Sequence, residues 1–86
     1  MLTLPIKNIW FDMICSGEKK DEYRALNSYY DSRFSRYEGQ EIEVMFRNGY
    51  HSNSPAVVCV VVPERDQPGL VEWGGIPGEK YWCLHI

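Results

Sequence analysis

Apolar positions change their spacing along the chain, and each change marks a predicted element. Apolar residues alternate over positions 1–6, which predicts a first strand with Pro5 at a sheet edge or a strand end. From Lys7 onward they recur every three or four residues, which is the period of an amphipathic helix. Gly17 supplies the left-handed residue that ends such a helix.

The next stretch is SGEKKDEYR (residues 16–24, the charged arm). It holds six charged residues, all of which follow its glycine. Residues 19–24 have no apolar period, so this part is compatible with a short strand or with an irregular segment. Residues 26–37 predict a second, less regular helix, with Asn27 or Ser28 as its N-cap. Both helices therefore fall in the first half of the chain.

The second half predicts strands. EIEVMFR (residues 41–47) alternates strictly, and the β-branched run AVVCVVV (residues 56–62) is typical of a central strand. Residues 63–69 are predicted to break that run, LVEW (residues 70–73) to form a short strand, and KYWCLHI (residues 80–86) to form the last strand. The chain thus predicts a single α+β domain over residues 1–86, a small β-barrel of about five strands with one or two short helices near the N-terminus.

The charge balance limits the function. A net charge of −3 disfavours a broad nucleic-acid interface, which needs many basic contacts. The basic residues are nevertheless unevenly spread, which leaves room for a local basic cleft. Seven of the nine precede residue 48, namely Lys7, Lys19, Lys20, Arg24, Arg33, Arg36 and Arg47.

Three cysteines, an odd number without a CxxC pair, disfavour a disulfide framework and a zinc site. Cys59 and Cys83 lie in apolar runs and are expected to be buried thiols. The N-terminus lacks the pattern of a signal peptide, and no apolar run is long enough to span a bilayer. A cytoplasmic protein with no membrane partner is expected.

Within the charged arm, Gly17, Lys19, Glu22 and Arg24 form the pattern G-x-K-x-x-E-x-R directly after a short amphipathic helix. In this motif, and in the order of its predicted elements over essentially its whole length, the chain resembles the activating-signal-cointegrator homology (ASCH) family. The resemblance implies a PUA-like barrel with a cleft beside the motif, and RNA or a modified nucleoside as partner. Some members cleave RNA or hydrolyse N4-acetylcytidine; the latter carry threonine where this chain has Glu22.

Lys19 and Glu22 are the candidate catalytic residues. The Lys19 ammonium could hold a phosphate or an oxyanion, a role favoured over that of a base because a nearby Glu22 stabilises its charged form. If the arm continues as a helix, Lys19 and Glu22 lie on one face and could pair, although Gly17 disfavours this. If the arm is extended, Lys19 is expected to face the cleft alone while Glu22 and Arg24 pair on the other side. Arg24 would bind phosphate or carboxylate. The structural alternative is a solvated turn with a Glu22–Arg24 ion pair.

Arg47, Asn48 and Tyr50 are further candidate ligand-binding residues, because a guanidinium, an amide and an aromatic ring could together stack on and recognise an unpaired base. Equally, Asn48 begins a turn and Tyr50 fits a barrel rim. The aromatic and basic side chains of residues 29–37 suit an RNA surface. The favoured alternative is a helix that buries its aromatic side chains in the core and leaves its arginines in water.

No metal or cofactor site is predicted. His51 and His85 have no ligand-spaced partner, and the sequence contains no phosphate-binding or dinucleotide motif. The favoured function is RNA or nucleotide binding in the charged cleft. The alternatives are a hydrolase acting on N4-acylated cytidine or RNA, and a protein-interaction module.

Overall fold

Five strands and two short helices make up the computed structural model, which describes residues 1–86. The elements are β1 (Leu2–Ile6), α1 (Asn8–Cys15), β2 (Asp21–Arg24), α2 (Ser28–Phe34), β3 (Ile42–Asn48), β4 (Ala56–Pro68) and β5 (Lys80–His85). Single 3-10 turns follow α2 and β4, at Ser35–Tyr37 and Val71–Trp73. The predicted small α+β fold is confirmed, with the strands curled into a half-barrel.

The long strand β4 causes the curl. The strand order is β1-β3-β4-β5-β2, with β1 parallel to β3 and all other pairs antiparallel. The first part of β4, from Ala56 to Val61, pairs with β3, and the second part, from Val62 to Pro68, pairs with β5. Because one strand serves two partners in succession, the sheet bends between them. The two edge strands are β1 and β2.

The concave side of the sheet and the inner faces of the helices enclose the core. Alternation in β3 buries Val44 and Phe46, as the sequence predicts. In α1 the buried side chains are Phe11 and Ile14, whereas Ile9, one of the apolar residues of the helical pattern, is exposed. The buried cluster comprises Leu4, Ile6, Phe11, Ile14, Phe34, Val44, Phe46, Val61, Trp82 and Leu84.

Two predictions around β4 are wrong. Residues 63–68 continue the strand through a register irregularity between Glu64 and Gln67, with Asp66 at a φ of 60°. Pro63 interrupts no ladder bond: its carbonyl accepts the Gly39 N–H at 2.9 Å on the side away from β5, and its nitrogen points the same way. Residues 71–73 form a 3-10 turn rather than a strand.

A polar contact ties α2 to the sheet. Asp31 of α2 accepts the indole N–H of the buried Trp82 at 2.8 Å and pairs with the Arg65 guanidinium at 3.0 Å. Arg65 also lies over the Trp82 ring, 4.5 Å from its centroid. The helix is thereby fixed above the core. Neither helix has the length and apolar character needed to cross a membrane.

Candidate functional site

The charged arm turns inward directly after α1. Gly17 adopts a φ of +82°, as predicted for the residue that ends the helix, and its N–H bonds to the Ile14 carbonyl. The Lys19 N–H then bonds back to the Met13 carbonyl at 2.9 Å. Strand β2 begins only at Asp21, so the backbone at Lys19 is not part of the strand alternation. This turn directs the lysine side chain into the protein.

Lys19 is only 1% exposed. Its ammonium pairs with Glu22 Oε1 at 3.1 Å and donates to the Asp21 carbonyl. The expectation that Lys19 faces the cleft alone is therefore wrong, because lysine and glutamate pair with each other. Three aromatic rings surround the ammonium, with centroids 5.6 Å away for Trp10, 5.0 Å for Tyr23 and 6.0 Å for Trp73.

Two opposing effects act on the protonation of Lys19. Burial lowers its pKa below the ordinary value of 10.5 by penalising the charged ammonium, while the Glu22 carboxylate opposes this shift by stabilising the charge. The burial effect is the larger of the two. A lysine in this position can act as a buried cation that pairs with the Glu22 carboxylate. When deprotonated, its amine can instead accept a proton from a protonated Glu22.

Glu22 joins Lys19 to Arg24. Glu22 is 7% exposed. Its Oε1 contacts the lysine, and its Oε2 accepts from the Arg24 Nε at 3.0 Å and lies 2.9 Å from Nη2. The predicted Glu22–Arg24 pair is thus present, but it is largely buried rather than part of a solvated turn. Arg24 also donates to the Tyr30 hydroxyl at 3.1 Å and to the Pro5 carbonyl at 2.9 Å. One carboxylate between two cations leaves a local excess of positive charge.

Glu22 and Arg24 lie in the wall of an open cavity of about 480 Å³. Asn48 and Tyr50 lie in the same wall, so four of the six predicted site residues meet there. Lys19 lies behind Glu22 and does not line the cavity. The lining residues are Pro5, Ile6, Lys7, Asn8, Trp10, Glu22, Tyr23, Arg24, Ala25, Tyr30, Asn48, Gly49 and Tyr50.

The cavity combines aromatic faces with positive charge. Tyr50 is 90% exposed, and Trp10 and Tyr30 lie in the wall beside it. The charged lining residues are Lys7, Arg24 and Glu22, which sum to +1 although the whole chain carries −3. A local basic cleft on an acidic protein is what the uneven distribution of basic residues allowed.

Arg47 lies outside this cavity. Its guanidinium donates to the carbonyls of Ser52 at 2.7 Å and Ser54 at 3.1 Å, which holds the loop between β3 and β4. It lines a smaller neighbouring cavity of about 230 Å³ that shares Tyr50 with the first. The structure therefore gives Arg47 a loop-stabilising contact at the edge of the site.

Nine of the thirteen lining residues were not among the sequence candidates, and Lys7, Asn8, Trp10 and Tyr30 are four of them. The helical pattern from Lys7 onward did not indicate a ligand-binding role for Lys7, Asn8 or Trp10. Tyr30 belongs to the aromatic residues 29–37, for which burial was favoured. The Asn48 side chain donates to the Asn8 side chain at 2.8 Å, which links the end of β3 to the start of α1. The strand pairing accounts for this proximity. Because β1 is parallel to β3, the residues that follow β1 lie near the residues that follow β3.

His85 has side-chain neighbours that its sequence spacing did not indicate. Its Nδ1 lies 2.7 Å from Asp21 Oδ1 and 3.4 Å from Cys83 Sγ. Of the thiols, Cys83 is buried as expected, Cys59 is half-buried and Cys15 is exposed. Burial raises the pKa of the Cys83 thiol, and the Asp21 carboxylate adds to the shift.

Comparison of the chain with protein-family models, with curated proteins and with solved structures finds no match. The resemblance to the ASCH family therefore stays a prediction from the G-x-K-x-x-E-x-R motif and the order of the elements.

Proposed function

We propose that the cavity beside β2 binds an unpaired nucleobase, either of single-stranded RNA or of a modified nucleoside. One observation carries the proposal: the Glu22 carboxylate is fixed between Lys19 and Arg24 in the cavity wall, with the exposed Tyr50 ring at the same opening. A fixed hydrogen-bond acceptor near an aromatic face provides the two contacts by which proteins recognise unstacked bases.

Each contact has a chemical counterpart in the ligand. A base would stack on Tyr50 or Trp10, since every base offers a π-face. Glu22 has carboxylate lone pairs beyond those used by its two cations, and these suit the exocyclic amine of cytosine. Arg24 and the exposed Lys7 would attract the phosphate. Lys19 would act from behind, by fixing Glu22 rather than by touching the ligand.

One observation favours a hydrolytic variant of the same function. Burial lowers the pKa of Lys19 while its ammonium contacts Glu22, so this pair could pass a proton between them. Glu22 would then be the catalytic residue at the ligand, and Lys19 a positioning residue behind it. Release of acetate from N4-acetylcytidine would identify this activity.

The proposal is tested with a fluorescent single-stranded RNA pool titrated at several salt concentrations. Binding should weaken as salt rises, and Tyr50→Ala should lower the affinity about tenfold, in line with the energy of stacking one base. Tyr37→Ala is the matched control, since Tyr37 lies on the other basic and aromatic surface, next to Arg33 and Arg36. If Tyr37→Ala weakens binding and Tyr50→Ala does not, the RNA lies along α2 and the proposal is wrong.

A further inference from the structure

A second group of reactive side chains lies on the opposite face of β2 from Glu22. Asp21 and His85 are cross-strand partners in the β2–β5 pair, and Cys83 precedes His85 by two residues, on the same face of β5. A carboxylate oxygen of Asp21, Cys83 Sγ and an imidazole nitrogen of His85 all lie within 4.8 Å of one another. A carboxylate oxygen, an imidazole nitrogen and a sulfur thus converge at one point.

The spacing fits a metal ion. Ligand atoms around a tetrahedral Zn²⁺ lie about 3.4–3.6 Å apart, given the usual metal–ligand distances. The distance between His85 Nδ1 and Cys83 Sγ is 3.4 Å, and that between His85 Nδ1 and Asp21 Oδ1 is 2.7 Å. Widening the second distance by about 0.7 Å would accommodate the ion, and rotation of the half-buried Asp21 side chain can supply this.

Glu64 of β4 lies beside the arrangement. Its Oε2 lies 3.6 Å from His85 Nε2, the ring nitrogen that faces away from Asp21 and Cys83. A histidine that binds a metal through one nitrogen usually donates its other N–H to a carboxylate, which orients the ring. At 3.6 Å the two atoms lie just beyond hydrogen-bond distance, so a small movement of the Glu64 side chain would form this bond.

We propose that Asp21, Cys83 and His85 bind a divalent transition-metal ion of the Zn²⁺ class, with Glu64 orienting the His85 ring. Thiolate, imidazole and carboxylate together favour Zn²⁺ over Mg²⁺ or Ca²⁺. Three protein ligands leave a fourth position for water or an exogenous ligand. On binding, the Cys83 thiol gives its proton to solvent and the sulfur forms the metal bond, so one proton is released for each ion bound. This site goes beyond the proposed nucleobase function and does not depend on it.

Titration of the full chain with Co²⁺ under reducing conditions tests the proposal, because cobalt bound to a thiolate gives a charge-transfer absorption band. The wild type should show this band at one ion per chain, and Zn²⁺ should abolish it by competition. Cys83→Ser should remove the band, and His85→Gln should weaken binding at least tenfold. Glu64→Ala, which removes the oxygen that would orient the ring, should weaken it about tenfold, the lower end of the range for residues that orient a metal ligand.

Cys15→Ser is the matched control, because Cys15 is the exposed thiol and the most accessible competing ligand. It should leave the band and the affinity unchanged. Absence of the band in the wild type, or its loss in Cys15→Ser with retention in Cys83→Ser, would overturn the proposal. Circular dichroism of each variant separates loss of the ligand from loss of the fold, and His85→Gln, at a half-buried position, keeps the test decisive if Cys83→Ser does not fold.

Discussion

The Arg24 guanidinium on β2 donates a hydrogen bond to the Pro5 carbonyl on β1, at 2.9 Å. These strands are the two edges of the sheet and do not pair with each other. The same guanidinium also binds Glu22 and Tyr30, so one side chain spans the gap between the edges. Arg24 therefore helps to close the half-barrel where backbone hydrogen bonds do not, and it forms part of the cavity wall.

Replacing Arg24 with lysine should destabilise the fold by about 1–3 kcal/mol. An ammonium cannot reproduce the planar set of donors that reaches Glu22, Tyr30 and Pro5 at once, so buried acceptors lose their partners. Urea denaturation measures the change. Arg36→Lys, at an exposed position, should change stability by no more than about 0.5 kcal/mol. Equal effects of the two variants would contradict the bridging role.

The Lys19–Glu22 pair should respond asymmetrically to substitution. Glu22→Gln leaves the buried ammonium without a counterion and should cost about 3–5 kcal/mol. Lys19→Met places a flexible apolar chain among aromatic rings, while Glu22 keeps Arg24, so its cost should be clearly smaller. Denaturation of both variants at neutral pH compares them. A greater loss of stability in Lys19→Met than in Glu22→Gln would contradict this expectation. It would show that the ammonium contributes more to stability than the presence of a counterion for it.

The loss in Glu22→Gln should shrink as pH rises. Without the carboxylate, the effect of burial on the folded-state pKa of Lys19 is opposed less, so this pKa falls further below the unfolded value of 10.5. Between those two pKa values the unfolded chain binds more protons than the folded one, and the folded state gains stability with pH. Stability of the variant relative to wild type, measured from pH 7 to 10, should therefore increase. A constant difference would contradict the account.

Asp31 should matter for stability through Trp82. Asp31→Ala leaves the buried indole N–H without an acceptor and should cost about 1–3 kcal/mol. Asp31→Asn keeps an oxygen acceptor and should cost less. Thermal unfolding followed by tryptophan fluorescence measures both. Asp12→Ala, at an exposed position of α1, is the control and should hardly change stability. If Asp31→Ala changes stability as little as Asp12→Ala, the Asp31–Trp82 contact contributes little.

The three thiols should react with an alkylating reagent in the order of their exposure. Cys15 is exposed and should react first, whereas Cys59 is half-buried and burial raises its thiol pKa. Cys83, fully buried, should react last in the folded protein. Mass spectrometry of timed samples identifies the modified residue. Early modification of Cys83 would contradict the packing around β5.

Sequence patterns predicted correctly those elements in which the spacing of apolar residues matches the side chains that are buried in the structure. The alternation of β3 was sufficient because one face is buried and the other is not. For β4 the pattern misled: Val58 and Val60 are exposed, so this part of the strand is not buried on both faces. The break expected at Pro63 is absent because its nitrogen faces away from the ladder with β5.

The contacts of the site could be predicted only in part. The Glu22–Arg24 pair follows from their spacing within a strand. The Lys19–Glu22 contact does not, because it depends on the turn at Gly17 and on where β2 begins. The contact between Asp21 and His85 joins residues 64 positions apart and needs the pairing of β2 with β5, which no local pattern contains.

The central claim, that the cavity beside β2 receives an unpaired base, is tested most directly by an NMR titration of the labelled protein. The ligands are N4-acetylcytidine and, separately, a short single-stranded RNA pool, with free acetate monitored. The account predicts amide shifts clustered at Arg24 and at Asn48 to Tyr50, and acetate release would add the hydrolytic activity. No shifts with either ligand, or shifts confined to residues 29–37, would contradict it.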